Sequence, residues 1–336
     1  VRIALTGTPV ENRLAELWSI LDWAVPGLLG SLDAFTRTFA VPIERDGDPE
    51  ATERLHELVR PFLLRRRKTD PGIAPELPSK TERDVVVGLT AEQVALYRAA
   101  VDEALAAVAA ADGIRRRGLV LALLTALKQI TNHPAHYLGQ TGPLADRSGK
   151  LSALDELLDE AVEAGEAVLV FTQYVAMGRL LVDHLRQGGL DCDLVHGQLT
   201  PAARTELTDR FQQGELPVLV LSLKAAGTGL NLTRATQVVH FDRWWNPAVE
   251  DQATDRAHRI GQPRPVTVHR LITQGTVEDR VAELLGATRR LADRVVGSGE
   301  AWLADLDDAT LASLVRLDEG PVGAGTGDRA LVGAEP

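Results

Sequence analysis

Long apolar runs are missing from this 336-residue chain. Its longest stretches, at residues 119–127 and 168–171, stop far short of the roughly 18 to 20 residues that a membrane span needs. No basic segment followed by an apolar one opens the sequence, so a secretory leader is not read here either. Cysteine is nearly absent: Cys192 alone excludes a disulfide framework and suits a reducing compartment. Together these absences predict a cytoplasmic protein with no membrane partner. Lysine is scarce as well, with five residues against thirty-one arginines, which hints at a GC-rich coding bias and a bacterial source. Net positive charge is also lacking. A net charge of -11 speaks against general phosphate binding, which rests on Lys and Arg contacts. It leaves room for a local basic groove, and Arg65, Arg66, Arg67 and Lys68, with Arg115, Arg116 and Arg117, are the clusters available.

What is present is enough to fold. With 45% hydrophobic and 25% charged residues, the chain can bury one large core or two modest ones. Residues 1–5 read as a buried strand, and 11–24, 32–39 and 49–64 have helical periodicity. Prolines at 71, 75 and 78 mark an extended connection, and 82–89 alternates like a strand. Thr90 and Gln93 stand in capping-box spacing before a long alanine-rich helix to about residue 111, and a second apolar helix runs to about 130. Beyond a loop at 139–149 the pattern changes. Short β-branched runs at 167–171, 191–195, 217–221, 237–241 and 266–272 alternate with helical stretches at 151–164, 174–187 and 201–211. Such alternation predicts βαβ units, hence a parallel sheet covered by helices on both faces and preceded by a largely helical segment. Further helices are expected at 277–296 and 302–314, then a glycine-rich disordered tail over 320–336.

The strongest cluster of chemistry follows the fourth of those strands. Asp242-Arg243-Trp244-Trp245-Asn246 leads into Pro247, a helix N-cap with proline at the first helical position. On the helix that follows, Gln252, Arg256 and Arg259 recur at i, i+4 and i+7, which predicts a single stripe carrying two guanidiniums one turn apart. Arginine keeps its charge and grips phosphate oxygens in a bidentate fork. Between 222 and 231, Gly227 and Gly229 permit a tight loop with close backbone approach, and Ser222 and Lys224 can contact phosphates. His133 and His136 lack the further ligands a zinc site requires, so no metal ligand is assigned within the chain.

The string DQATDRAHRIGQ at 251–262 resembles motif VI of the Swi/Snf-related (RapA/HepA-like) ATPases of helicase superfamily two. The loop Ser222-Leu-Lys-Ala-Ala-Gly-Thr-Gly-Leu-Asn231 resembles motif V of that family, VLVFTQ at 168–173 resembles motif IV, and His196-Gly197 the motif after it. Ser148-Gly149-Lys150-Leu151 and Asn132-His133-Pro134 match family landmarks, Phe62-Leu-Leu-Arg-Arg66 the linker between lobes, and Thr6-Gly7-Thr8-Pro9 motif III. The resemblance implies RecA-like lobes and an ATP-dependent translocase on double-stranded DNA. Arg256 and Arg259 would be its arginine fingers. Gly227, Gly229, Asn231 and Gln252 would lie against ATP, Lys150, Ser222, Lys224 and Trp245 against DNA, and Thr6, Gly7, Thr8 and Pro9 would couple the lobes. The implied organisation is the end of a truncated first lobe at 1–10, a helical protrusion and linker at 11–80, a helical insertion at 81–140, the second lobe at 141–297 and a C-terminal helix with tail at 298–336.

One part of the machinery does not occur in the sequence. The phosphate loop G-x-x-x-x-G-K-[ST] is absent, and at Gly149-Lys150 a leucine replaces the Ser or Thr that would meet magnesium. ATP and Mg2+ are therefore expected cofactors whose phosphate cradle and metal ligands lie on an upstream lobe, and these residues alone are expected to be inactive. RNA polymerase or other DNA-bound proteins are the expected load. Two alternatives stay open: a non-catalytic DNA- or protein-binding remnant, and an RNA helicase of the same superfamily.

Overall fold

Five apolar runs in the second half of the chain are too short for helices and rich in Val and Leu, and all become strands of one sheet. In the computed structural model, residues 1–6, 13–64, 76–226, 229–244, 247–280, 306–318 and 327–329 are described. They fall into two compact units, one of 1–6, 13–64 and 247–248, and the other of the remainder.

In the first unit, helices α1 (Leu14–Ala24), α2 (Leu32–Phe35), α3 (Val41–Asp46) and α4 (Pro49–Val59) surround a small core of Leu14, Leu17, Leu21, Phe35, Phe39, Ile43, Leu55 and Val59. A π-helical turn, Thr36–Ala40, joins α2 to α3. Ser31 and Asp48 cap α2 and α4 through their side chains, as short polar residues do at helix starts. The strand expected at 1–5 is not formed. Val1, Ile3 and Leu5 are exposed, and no described strand pairs with them to satisfy their backbone.

The second unit is built on β1 (Lys80–Val87), β2 (Val168–Thr172), β3 (Cys192–Val195), β4 (Val218–Ser222), β5 (Gln237–His240), β6 (Val266–Thr273) and β7 (Gly327–Arg329). The order is β3-β4-β2-β5-β6-β1-β7, parallel throughout except for the antiparallel β7. Thus β1, which precedes the long helices in sequence, enters the sheet beside β6. The strands are buried on both faces because their odd and even residues feed two different cores. Val168, Val170, Val218 and Val220 pack with Leu151, Leu154 and Leu158 of α8 (Gly149–Glu163) and Leu181 and Leu185 of α9 (Val175–Gln187). Leu169, Phe171, Leu219 and Leu221 pack with Phe211 of α10 (Pro201–Gln213), with Ala253 of α12 (Pro247–Thr254) and with Ala257.

Helices α5 (Ala91–Ala109) and α6 (Gly113–Asn132) pack on each other, and the short α7 (Pro134–Leu138) follows α6. The capping box forms: Thr90 Oγ1 accepts from Gln93 N and Gln93 Oε1 from Thr90 N. Gln93, itself buried, then donates through Nε2 to the carbonyls of Ile130 and Thr131, fixing the end of α6. The expected helix at 302–314 is observed over Asp308–Val315, where Arg116 pairs with Asp308 at 2.7 Å, so that arginine is not part of an open basic patch. The expectations for 281–300 and most of 320–336 lie outside the described residues.

Candidate functional site

The parallel strands aim their carboxyl ends at one edge, where open α/β sheets place ligands. That edge is organised by buried polar residues. Asp242, fully buried just past β5, accepts from Asn132 Nδ2 at 3.1 Å, from Thr172 Oγ1 at 2.5 Å and from the Gln173 amide at 2.9 Å. Burial pushes its carboxyl above the usual range, opposed by those hydrogen bonds and by Lys150 and Lys128. Lys150, expected to face DNA, is fully buried instead. Its ammonium donates to Glu278 Oε1 at 2.7 Å and to Asn132 Oδ1 at 3.3 Å. Glu278 also accepts from Thr131 Oγ1 and from the Thr273 amide. A buried charge must be paired or neutralised, and Lys150 uses its charge in that pairing, so a phosphate-contacting role is withdrawn. The landmarks Ser148-Gly149-Lys150 and Asn132-His133-Pro134 therefore meet in one hub: Ser148 Oγ donates to the Asn132 carbonyl at 2.6 Å and caps α8.

From Asp242 the chain turns through Arg243 and Trp244 into α12. Glu250, buried on that helix, receives Arg243 Nε at 2.9 Å and the Trp244 amide at 2.7 Å. Burial alone would raise its carboxyl, but Arg243 holds it below the ordinary range. His240 Nε2 meets Thr254 Oγ1 at 3.0 Å, and burial drives this imidazole down to about 4, leaving it neutral. Helix α12 thus runs back along β5, and after it Gln262 Nε2 donates to the carbonyls of Ala235 and Ala257 near the start of that strand.

This path corrects the expected stripe. Gln252 lies half-buried on α12, but the helix ends at Thr254, and Arg256 and Arg259 sit in the turns that follow. The Arg256 carbonyl accepts from the Leu232 amide at 3.0 Å, which brings the segment after motif V against the arginine segment. Arg256 is 9% exposed and its Nε is buried without a hydrogen-bond partner among the described residues. Burial, then the neighbouring Arg259 charge, lowers its pKa against the opposing effect of Asp255. Arg259 is exposed. A half-desolvated guanidinium beside a second one is a site that an anion would complete.

The other expected site residues divide as follows. Gly229 has φ +70° and is exposed, as is Asn231, one residue before the Leu232 contact. Ser222 ends β4 at the carboxyl edge and is 2% exposed. Lys224 belongs to α11 (Leu223–Ala226) by its backbone, and its side chain lies outside the described residues. Gly227, Trp245, Gly7, Thr8 and Pro9 lie outside them too, and Thr6 is exposed. The structure thus brings Leu232, the neighbour of Asn231, against the Arg256 carbonyl near the start of β5, away from the edge that carries Ser222 and Asp242. Sequence reasoning missed Asp242, Glu250 and Glu278 as structural carboxylates. For Asp242 and Glu250 the available signal was their position around an Arg-Trp-Trp turn. Among the described residues, no group of three or more His, Cys, Asp or Glu stands close enough to hold a metal ion.

A parallel sheet with helices on both faces and paired arginines behind its fourth strand define the chain as carrying a RecA-like lobe of the helicase class. The helicase conserved C-terminal domain matches residues 149–261, and the SNF2-related domain matches residues 1–136. The chain belongs to the SWI/SNF (SWI2/SNF2) family of ATPases. It is 46% identical over 318 residues to the putative ATP-dependent helicase/translocase YwqA of Bacillus subtilis, covering 94% of this chain and 34% of that protein. It is 36% identical over 308 residues to the human SWI/SNF-related matrix-associated actin-dependent regulator of chromatin subfamily A member 1, covering 89% of this chain and 29% of that protein. Among solved structures, the Sulfolobus solfataricus SWI2/SNF2 ATPase core in complex with dsDNA matches with TM-score 0.65 and 41% identity, covering 94% of this chain and 67% of that one. The C-terminal domain of the Sulfolobus ATPase matches with TM-score 0.62 and 35% identity, covering 71% of this chain and all of that one. The chain spans about a third of the length of the curated relatives it matches.

Proposed function

We propose that this chain is the part of an ATP-dependent double-stranded DNA translocase that supplies the arginine fingers and one DNA-gripping lobe. The observation that carries the reading is Arg256: its Nε is buried with no hydrogen-bond partner among the described residues, it stands next to Arg259, and it is tied through its carbonyl to the segment after Gly229 and Asn231. Two neighbouring cations would stabilise negative charge that grows on the transferred phosphoryl oxygens. Magnesium bound with ATP would supply neutralising charge at the phosphates, and none of the described residues of this chain is assigned to hold it.

The carboxyl edge is the DNA side in this reading, with Ser222 at the end of β4 and Lys224 on the backbone of α11 that follows it. Lys150 stays inside as a brace. Duplex DNA is favoured over RNA because a similar solved core is a complex with dsDNA. The load is a DNA-bound protein, with RNA polymerase one instance, in keeping with the helicase/translocase and chromatin-regulator names of the relatives.

The test joins residues 1–336 to a lobe carrying the phosphate loop and measures ATP turnover with duplex DNA, single-stranded DNA and RNA. Stimulation by duplex DNA above the other two is expected. Stimulation by RNA alone moves the protein to the RNA-unwinding branch, and no turnover with any of them leaves a binding remnant.

A further inference from the structure

Between the two edges runs a set of short polar contacts joined by the backbone of α12, and Glu250 stands where the loop contacts meet that helix. At the DNA edge, Gln173 is held twice: its amide donates to Asp242 Oδ1 at 2.9 Å, and its side-chain Nε2 to the Arg243 carbonyl at 3.3 Å. The loops after β2 and β5 therefore move together. Arg243 and the Trp244 amide are then gripped by the single oxygen Glu250 Oε1. One turn along α12, Thr254 is fixed to His240, and two residues later the Arg256 carbonyl is fixed to Leu232.

We propose that Glu250 is a positioning residue that couples DNA contact to the placement of Arg256. This inference rests on the translocase reading above. Three observations single out Glu250. It is 2% exposed, so its attraction to Arg243 is little screened by water. It binds the loop through one oxygen while Oε2, also buried, has no hydrogen-bond partner among the described residues, an arrangement that stability alone does not call for. It also sits on α12, the element that leads from the loop to the arginines. A shift of the Arg243–Trp244 loop on DNA is thereby transmitted along α12 to Thr254, two residues before Arg256. Without the carboxylate charge, the loop and helix move independently.

The experiment uses the protein that carries both lobes. Basal ATP turnover, duplex-stimulated turnover, duplex DNA affinity and the urea midpoint are measured for the parent, for Glu250→Gln and for the double variant Arg243→Met with Glu250→Met. The double variant removes a buried ion pair without leaving one charge behind, a change that is often neutral for folding. Basal turnover and DNA affinity are expected to stay within about threefold of the parent in Glu250→Gln, while in both variants duplex stimulation falls about tenfold or more relative to each variant's own basal rate, the size of an ordinary coupling between sites. Because a brace that merely supports the fold would lower basal and stimulated rates together, the split between them is the diagnostic readout. Should Glu250→Gln fail to fold, the double variant decides. Full stimulation in a folded double variant overturns the coupling role and leaves the translocase reading standing. A parent protein without duplex stimulation overturns both.

Discussion

Lys150 and His136 show how burial changes what a charged or titratable side chain does. Lysine next to glycine after a serine looks like a phosphate ligand, yet Lys150 spends its charge on Glu278 inside the lobe. Lys150→Met leaves the Glu278 carboxylate buried and unpaired, at a cost of about 3–5 kcal/mol, and adding Glu278→Met recovers most of it. Urea midpoints of the two variants check this. The same pair separates brace from DNA ligand, since a lysine that releases no counterions leaves the salt slope of duplex binding unchanged. His136 packs its ring edge-on to Tyr174, and burial drives its pKa down to about 4 from an ordinary 6.5. In the unfolded chain the imidazole takes a proton below 6.5, and in the folded one it does so only near 4. Stability is therefore whole above the unfolded value and is lost as pH falls through that window. His136→Phe removes this proton uptake. It should be near neutral at pH 7.5 and more stable than the parent by about 2 kcal/mol at pH 5, measured as a shift in urea midpoint.

At the scale of elements, what the sequence discloses depends on whether the determining partners are local. The runs at 167–171 and 217–221 are legible as strands because they are apolar throughout, rich in Val and too short for helices, and the helix from Ala91 is legible because its capping box lies within four residues. The stripe across Gln252, Arg256 and Arg259 is misleading for the opposite reason. The Arg256 carbonyl, which a continuing helix would give to residue 260, is taken by the Leu232 amide, and the Ala257 carbonyl by the Gln262 side chain. Periodicity cannot register a competitor 24 residues upstream. The hub around Asp242 is illegible likewise, since its members are spread from Lys128 to Glu278 and only the fold gathers them. Glycine shows both cases within two helices. At Gly149, opening α8, a Cβ would lie 2.1 Å from the Gly88 carbonyl oxygen, whereas at Gly118 within α6 a Cβ meets nothing within 4 Å. Gly149→Ala should therefore cost about 3 kcal/mol, because backbone must move to admit it. Gly118→Ala should gain about 0.5–1 kcal/mol by restricting the unfolded chain. Equal effects of the two substitutions on the melting temperature would contradict this account.

For the whole molecule, a net charge of -11 and a DNA partner are compatible only if cation density is local, and the same economy appears at the nucleotide side, where two arginines supply the proposed chemistry. Holding Arg256 ready has a thermodynamic consequence. A buried arginine whose Nε has no hydrogen-bond partner among the described residues, with a like charge beside it, is desolvated without full compensation until an anion arrives. The residue thus works against the stability of the free protein. Arg256→Met keeps the unbranched aliphatic stem and removes the charge, so the urea midpoint of residues 1–336 should stay level or rise by up to about 1 kcal/mol. Joined to a phosphate-loop lobe, the same variant should lose about a thousandfold or more in duplex-stimulated turnover, the scale on which arginine fingers act. The exposed Arg259→Met should match that loss of rate without any gain in stability. A large fall in stability for Arg256→Met would show that this arginine serves the fold, and the opposition between stability and turnover argued here would then be wrong.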